Sequence, residues 1–311
     1  MGVVNVTPDS FSDGGFYLDP AKAVKRGLEL VRQGADWIDV GGESTRPGSE
    51  PVSEAEELRR VVPVVEALRR ALDHPAPGVK PATGSSFRVN RRVEISIDTT
   101  KAQVAEAAVQ AGATVINDVS GLRFDPRVAD TARRHRTGLV LMHLRGRPET
   151  MQQGPFARSI WRSLATGLGW SIRRALGSGV KRSQLIIDPG MGFGKTRGQN
   201  FQILADLHRL ERFQLPILVG TSRKSFVQAI AAGEKLAPAT QPRNRSSNYW
   251  VLLERTNAAR DIPLPVHSGD AAAVAASVLG GAHIVRVHDV DTVLPAVWVA
   301  DAILAAARSR S

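Results

Sequence analysis

Gly112-Ala-Thr-Val-Ile-Asn-Asp-Val119 holds the end of a helix, a short link and a strand. Gly112 suits the left-handed cap that closes a helix, because it has no Cβ to clash in that conformation. The run Val115–Val119 that follows is short, β-branched and apolar save for Asn117 and Asp118. Such a run suits a parallel strand covered on both faces. The Gly-Ala pair returns at Gly34-Ala35 and Gly281-Ala282, each time after a helical pattern and before a strand.

Working outward, strands are predicted at Gly2–Val6, Trp37–Val40, Glu94–Asp98, Val115–Val119, Gly138–Met142, Gln184–Ile187, Pro216–Val219 and His283–Val287. Helical patterns lie between them. Asp19-Pro20 and Asp125-Pro126 each offer an N-cap followed by proline at the first helical position. Ser53 with Glu56 forms a capping box ahead of apolar Leu58, Val61, Val62, Val65 and Leu68. Pro63 is expected to kink that helix or mark its start. Eight strands alternating with helices predict an α/β fold, a (β/α)8 TIM barrel, over a doubly wound open sheet. The chain of 311 residues suits one barrel domain spanning 1–311. Two Pro-, Ser- and Arg-bearing stretches, 73–93 and 233–268, break the alternation and are expected to be long surface insertions.

Composition removes several classes of function. With no cysteine, disulfides, thiolate nucleophiles and cysteine-bound metals are excluded. The net charge of +11 is compatible with an anionic ligand. The basic residues are dispersed, as at Arg59-Arg60, Arg133-Arg134 and Arg173-Arg174, and aromatics are only 5%. The clustered stripe of a nucleic-acid binder is therefore missing. A first residue leading straight into Gly2–Val6, and apolar runs shorter than a membrane span, lead to the expectation of a cytoplasmic protein with no membrane partner.

Polar residues recur at the carboxyl ends of the strands: Asn5, Asp39 with Glu43, Asp98, Asn117, His143, Asp188, Lys224, and Arg286 with His288. In a TIM barrel those ends form one face, which carries the active site. Asp98, Asn117 and Asp188 suit hydrogen bonds to a flat heterocycle with amino and oxo groups. Arg46, Lys224, Arg286 and His288 suit a phosphate or pyrophosphate. The glycine-rich run Gly190–Thr196 lacks the spacing of a phosphate-binding P-loop and of a dinucleotide fingerprint. No histidine pair has zinc spacing; a hard cation carried by substrate phosphates is compatible with Asn5.

Several segments resemble the dihydropteroate synthase family. Asn5-Val-Thr-Pro-Asp-Ser-Phe-Ser-Asp-Gly-Gly15 looks like its first strand and mobile loop, and Asp39-Val-Gly-Gly-Glu-Ser-Thr-Arg-Pro-Gly48 like its second. Ile97-Asp-Thr, Ile116-Asn-Asp, Leu141-Met-His, Asp188–Lys195, Ser222-Arg-Lys-Ser225 and Arg286-Val-His-Asp289 continue the series in order. The resemblance implies a barrel that joins 6-hydroxymethyl-7,8-dihydropterin pyrophosphate to 4-aminobenzoate. Asp98, Asn117, Asp188 and Lys224 would hold the pterin, with Met142 packed against it. Asn5, Thr45, Arg46, Arg286 and His288 would handle the pyrophosphate and its Mg2+, Asn5 being the metal ligand. Phe11, Pro47, Phe193 and Ser225 would shape the arylamine pocket, and Asp13 would help cover a carbocation-like intermediate. A homodimer and sulfonamide sensitivity are further implications, since Phe11, Thr45 and Pro47 keep the family's usual residues. The family usually carries residues before its first strand, whereas Met1 here starts at the strand itself, so the expectation is either a misassigned start or a less covered barrel floor. A pterin-dependent corrinoid methyltransferase would share the pterin-holding carboxylates but has no need of Arg46, Arg286 and His288. A non-catalytic pterin-binding paralogue is the other alternative, which the intact first and second loops oppose.

Overall fold

The computed structural model describes residues 1–7, 20–45, 49–74, 92–236 and 264–308. Phe11, Asp13, Arg46 and Pro47 lie outside these, as does most of both expected insertions.

The strands β1 (Gly2–Asn5), β2 (Trp37–Gly41), β3 (Glu94–Asp98), β4 (Val115–Asp118), β5 (Gly138–Met142) and β6 (Leu185–Asp188) pair in chain order, all parallel. β7 (Leu218–Val219) pairs with β8 (Ile284–Val285). Single bridges join Ile187 to Ile217 and Gly2 to Val287, and so close the ring. At the seams Ile187 donates to the Pro216 carbonyl at 3.0 Å and Val3 to the Val287 carbonyl at 3.0 Å. The result is the expected barrel, with β7 and β8 shorter than the apolar runs that encode them.

Outside the strands lie α1 (Pro20–Arg32), α2 (Glu54–Asp73), α3 (Ala102–Gln110), α4 (Val128–His135), α5 (Ile160–Gly177), α6 (Arg197–Ala205), α7 (Ser225–Ala231), α8 (Leu264–Leu279) and α9 (Val290–Arg308). The three Gly-Ala pairs are Schellman caps. Gly34, Gly112 and Gly281 have φ of 109°, 114° and 99°. Each following alanine donates to the carbonyl five residues back, at 2.9 Å in all three.

Other expectations shift. α2 runs unbroken through Pro63. Ser53 caps it by accepting from the Glu56 N–H at 3.2 Å, but the Glu56 carboxylate goes to Arg59 and Arg60, not back to the cap. α4 starts at Val128, two residues beyond Pro126, and the Asp125 carboxylate takes the Arg127 and Ala102 N–H groups. The second expected insertion ends sooner than 268, because α8 begins at Leu264 and carries His267.

Among the described residues one helix, α9, is long and apolar enough by length and composition to cross a membrane, which corrects the expectation that no segment reaches that size. That expectation rested on unbroken apolar runs, and Asp291 and Asp301 interrupt this one. In the fold α9 lies along α8 and buries Val290, Val293 and Ala300.

Strand alternation sorts side chains between two layers. Ile38, Val40, Ile95, Ile97, Ile116, Leu139, Leu141 and Ile187 join the core between strands and helices. Trp37, Val115, Val140, Ile186, Leu218 and Ile284 make a separate cluster inside the barrel. The residues sharing the inner parity near the carboxyl ends are Asn5, Asp39, Asp98, Asn117, Met142, Asp188 and Arg286.

Candidate active site

An ion-paired network spans the barrel mouth. Arg286, just past β8, donates from Nε to Asp39 Oδ2 at 2.6 Å and from Nη2 to Asp98 Oδ2 at 2.9 Å. Asn117 Nδ2 donates to the same Asp39 oxygen at 3.2 Å. Asp39 is fully buried, and one guanidinium serves two carboxylates. Burial drives the Asp98 carboxyl upward; Arg286 opposes that, and the like charge of Asp39 adds to it. Asn117 Oδ1, Asp39 Oδ1 and Ser96 Oγ are buried without a hydrogen-bond partner. Buried polar atoms are nearly always satisfied, so acceptors left unmet at a barrel mouth point to a ligand that donates.

Asp188 ends β6 and accepts the Gly190 N–H at 2.6 Å. Burial pushes its carboxyl up to about 6, against the Gly190 N–H and the charges of Lys224, Lys195 and Arg286. Met142 and Phe193 lie in one apolar cluster with Val119, Leu144 and Met151. Lys224 Nζ sits 4.2 Å from the centroid of the Phe193 ring, a cation–π contact. One side of the mouth thus offers an apolar wall beside a carboxylate and an ammonium.

The run Gly190–Lys195 earns its glycines through backbone approach. A Cβ on Gly190 would lie 2.2 Å from the His143 carbonyl oxygen, and one on Gly194 2.2 Å from that of Arg145. Lys195 is buried and donates to the carbonyls of His143, Gly190 and Phe193 at 3.1, 2.7 and 2.9 Å. Burial pulls its ammonium down to about 7, against the attraction of Asp188. The lysine ties the loop internally, which is the opposite of a phosphate cradle.

Two of the polar strand-end residues turn away from the mouth. His143 follows inward Met142, so it points outward, against Gly167 of α5, with Nε2 3.1 Å from Ser163 Oγ. Burial holds its imidazole well below its usual range. Glu43 pairs with Lys101, which also binds buried Glu57. These contacts root the loop after β2, together with Arg60 Nη1, which donates to the Gly42 carbonyl at 2.8 Å. Thr45, half-buried, stands at the edge of that loop. Asn5 is half-buried at the end of β1, and Ser225 is the first residue of α7 behind Lys224. His288, beyond β8, meets Ser222 Oγ through both its backbone N–H and Nδ1, each at 3.3 Å.

Sequence reasoning named Asp39 without a role, and left Ser222, Asp270 and Lys195 without one. The inward parity of Asp39 was a usable signal. Asp270 carried none, since it follows a stretch that looks like an insertion.

An inner ring of carboxylate, amide and guanidinium groups at the carboxyl ends of a barrel, with an apolar wall beside it, defines a small-molecule enzyme site. Residues 1–76 and 85–288 match the pterin binding enzymes, and the chain belongs to that family. Within it the chain is similar to the dihydropteroate synthase of Synechocystis, 39% identical over 97% of this chain and 89% of that protein. The Yersinia pestis dihydropteroate synthase, solved with a sulfonamide drug complex, superposes with a TM-score of 0.76 at 36% identity, covering 98% of this chain and 93% of that one. The Xanthomonas albilineans dihydropteroate synthase with 4-aminobenzoic acid gives 0.75 at 36% identity, covering 98% and 92%.

Proposed function

We propose that this protein is a dihydropteroate synthase, a transferase that condenses 6-hydroxymethyl-7,8-dihydropterin pyrophosphate with 4-aminobenzoate to give 7,8-dihydropteroate and pyrophosphate. The supporting observation is the mouth itself, where unmet acceptors and a carboxylate lie within one ring with Arg286. Asn117 Oδ1, Asp98 and Asp188 suit the N–H edges of a pterin, and Met142 suits its face. Asp188 is ionised at neutral pH and can accept two pterin N–H bonds. Of the guanidinium's donors, Nη1 is not used by Asp39 or Asp98 and is the one suited to the pyrophosphate.

In the reaction the methylene C–O bond breaks and pyrophosphate leaves with the electron pair. The amine of 4-aminobenzoate then forms the C–N bond and loses a proton. Asp98 and Asp188 oppose the positive charge that develops on the pterin, an electrostatic effect that is strong in so buried a site. Asn5, Thr45 and His288 are suited to the leaving group, with Arg46; Phe11, Pro47, Phe193 and Ser225 to the arylamine; Asp13 to covering the cation. No group of three His, Asp or Glu fit to hold a metal exists among the described residues. The half-buried amide of Asn5 at the end of β1 suits a Mg2+ carried mainly by the pyrophosphate, with Asn5 as its protein ligand. Mg2+ would neutralise the leaving group's charge.

We place the enzyme in the cytoplasm as one domain over 1–311 with insertions within 73–93 and 233–263. We further propose a homodimer through α9 and α8, whose Trp298, Val299, Ile303 and Leu279 are exposed. The test of function is pyrophosphate release by purified protein with Mg2+ and both substrates. Release that 4-aminobenzoate stimulates, with 7,8-dihydropteroate formed, supports the reading; no 7,8-dihydropteroate from folded protein refutes it.

A further inference from the structure

Ser222, Asp270 and His288 form a linked set behind the mouth. Ser222 follows β7 and is buried, as is Asp270 on α8. Ser222 Oγ lies 2.9 Å from Asp270 Oδ2 and 3.3 Å from both His288 Nδ1 and the His288 backbone N. The Arg223 N–H donates to both Asp270 oxygens at 3.0 Å.

Proton counting orders this set. A hydroxyl has one proton and two lone pairs; a carboxylate only accepts; a backbone N–H only donates. The single Ser222 proton therefore goes to Asp270, and its lone pairs face His288. A ring nitrogen that meets a lone pair must itself carry the proton. We infer that Asp270, acting through the Ser222 hydroxyl, holds His288 as the Nδ1–H tautomer and so makes its Nε2 a hydrogen-bond donor only in the imidazolium form. If His288 meets pyrophosphate, a role that rests on the function proposed above, anion binding through Nε2 draws a proton from solvent onto the neutral histidine.

The surroundings keep the set in place. Arg26 Nη2 of α1 donates to the His288 carbonyl at 2.8 Å. Arg223 pairs with Asp289 at 2.9 Å, and Arg26 lies 3.9 Å from the same carboxylate. Burial raises the Asp270 carboxyl to about 6, opposed by the Arg223 N–H, Ser222 and the Arg223 charge, while Asp289 adds to the rise. Asp270 is ionised at neutral pH, so the ordering operates there and loosens below about 6. Asp270 is a positioning residue: it touches Ser222 and Arg223, and reaches the ligand only through His288.

The ring 15N shifts of His288 test this in the full chain. Its signals are identified among the seven histidines by their loss in His288→Gln. Above the imidazole's titration, the expected result is a protonated-type Nδ1 and an unprotonated-type Nε2. In Asp270→Asn the amide Nδ2 faces Ser222 while Oδ1 keeps the Arg223 N–H. Ser222 then donates to His288 Nδ1, and the tautomer should switch to Nε2–H. In Ser222→Ala the preference should fall away. A wild-type Nε2–H tautomer, or shifts that are the same in Ser222→Ala as in wild type, overturns the inference; so does an unchanged tautomer in folded Asp270→Asn. Calorimetry of pyrophosphate alone, in buffers of different ionisation heat at pH 8, gives the functional side. Wild type should take up as much as one proton more than His288→Gln or Asp270→Asn. The expected tautomer with equal uptake in all three would leave the relay standing and refute the pyrophosphate role of His288.

Discussion

Replacing Asp188 with Asn should weaken pterin binding and, in the same protein, stabilise the fold. Asp188 is 6% exposed and its carboxyl rises from the usual 3.8 to about 6 on folding. At 1.36 kcal/mol per pH unit, that rise means ionised Asp188 costs the folded state about 3 kcal/mol near pH 7.5. The attraction of Lys224, Lys195 and Arg286 is already contained in that net rise. The neutral amide resembles the protonated acid and keeps an oxygen for the Gly190 N–H. The sign follows from the raised value. The unfolded carboxyl ionises from about 3.8 and the folded one only from about 6, so the penalty is absent below 3.8, grows between the two and is complete above 6.

Urea unfolding followed by tryptophan fluorescence measures this. At pH 7.5 the Asn variant should be more stable by as much as about 3 kcal/mol, and at pH 5 by roughly half of that. Pterin affinity should fall tenfold or more, because one charge-assisted bond of about 1.5–3 kcal/mol is lost. In the wild type, affinity should decline as pH falls below about 6, and in the variant that decline should be absent. A variant less stable than wild type at pH 7.5 refutes the assignment, since the three cations would then depend on this charge. A variant with normal pterin binding places the pterin elsewhere.

Lys195→Met should cost about 2 kcal/mol or more in stability, because it strands the His143 and Phe193 carbonyls, while that of Gly190 keeps the Phe193 N–H. It should also raise the 4-aminobenzoate KM more than it weakens pterin binding, since Phe193 rides on that loop; equal effects in kinetics would contradict this. Val299→Glu should shift the protein toward monomer in sedimentation with little change in stability, as Val299 is 62% exposed; an unchanged oligomer removes α9 from the interface. Sulfamethoxazole should inhibit competitively with 4-aminobenzoate, because the sequence keeps the family's usual residues at Phe11, Thr45 and Pro47 and carries no insertion in Phe11–Gly15 or Thr45–Gly48. An inhibition constant far above the 4-aminobenzoate KM would refute that.

The parts of this molecule legible in the sequence are those set by neighbours along the chain. The Gly34, Gly112 and Gly281 caps need only a helix end and a residue without Cβ, so they stand where the Gly-Ala pairs announce them. The eight strands stand within a few residues of their apolar runs, since burial on both faces needs little beyond local composition. Strand parity was also available: Met142 and Asp188 face inward, so His143, one residue past Met142, had to face out. The strand-end list included His143 because position alone was counted, without direction. The match of ordered motifs, in turn, carried the family assignment that the pterin binding enzymes bear out.

What stayed hidden depends on partners far apart. Arg286 meets Asp39 across 247 positions, and no local pattern says that a cation at β8 is held by a carboxylate at β2. Its pairing changes the chemistry expected of it. A guanidinium free at the mouth would be a phosphate ligand alone, whereas one held by Asp39 and Asp98 also fixes where those carboxylates point. Asp270 shows the same limit more sharply. It follows a Pro- and Ser-bearing stretch that looks like decoration, yet α8 carries it to Ser222, 48 positions earlier. Direction within a strand can be computed from one run of residues, but pairing across the ring needs closure of the barrel. That closure rests on the Gly2–Val287 and Ile187–Ile217 bridges, which bring β8 beside β1 and β7 beside β6. Until the ring closes, Asn5 and Arg286 stand at opposite ends of the chain; once it does, they share the mouth with Asp39 and Asp98.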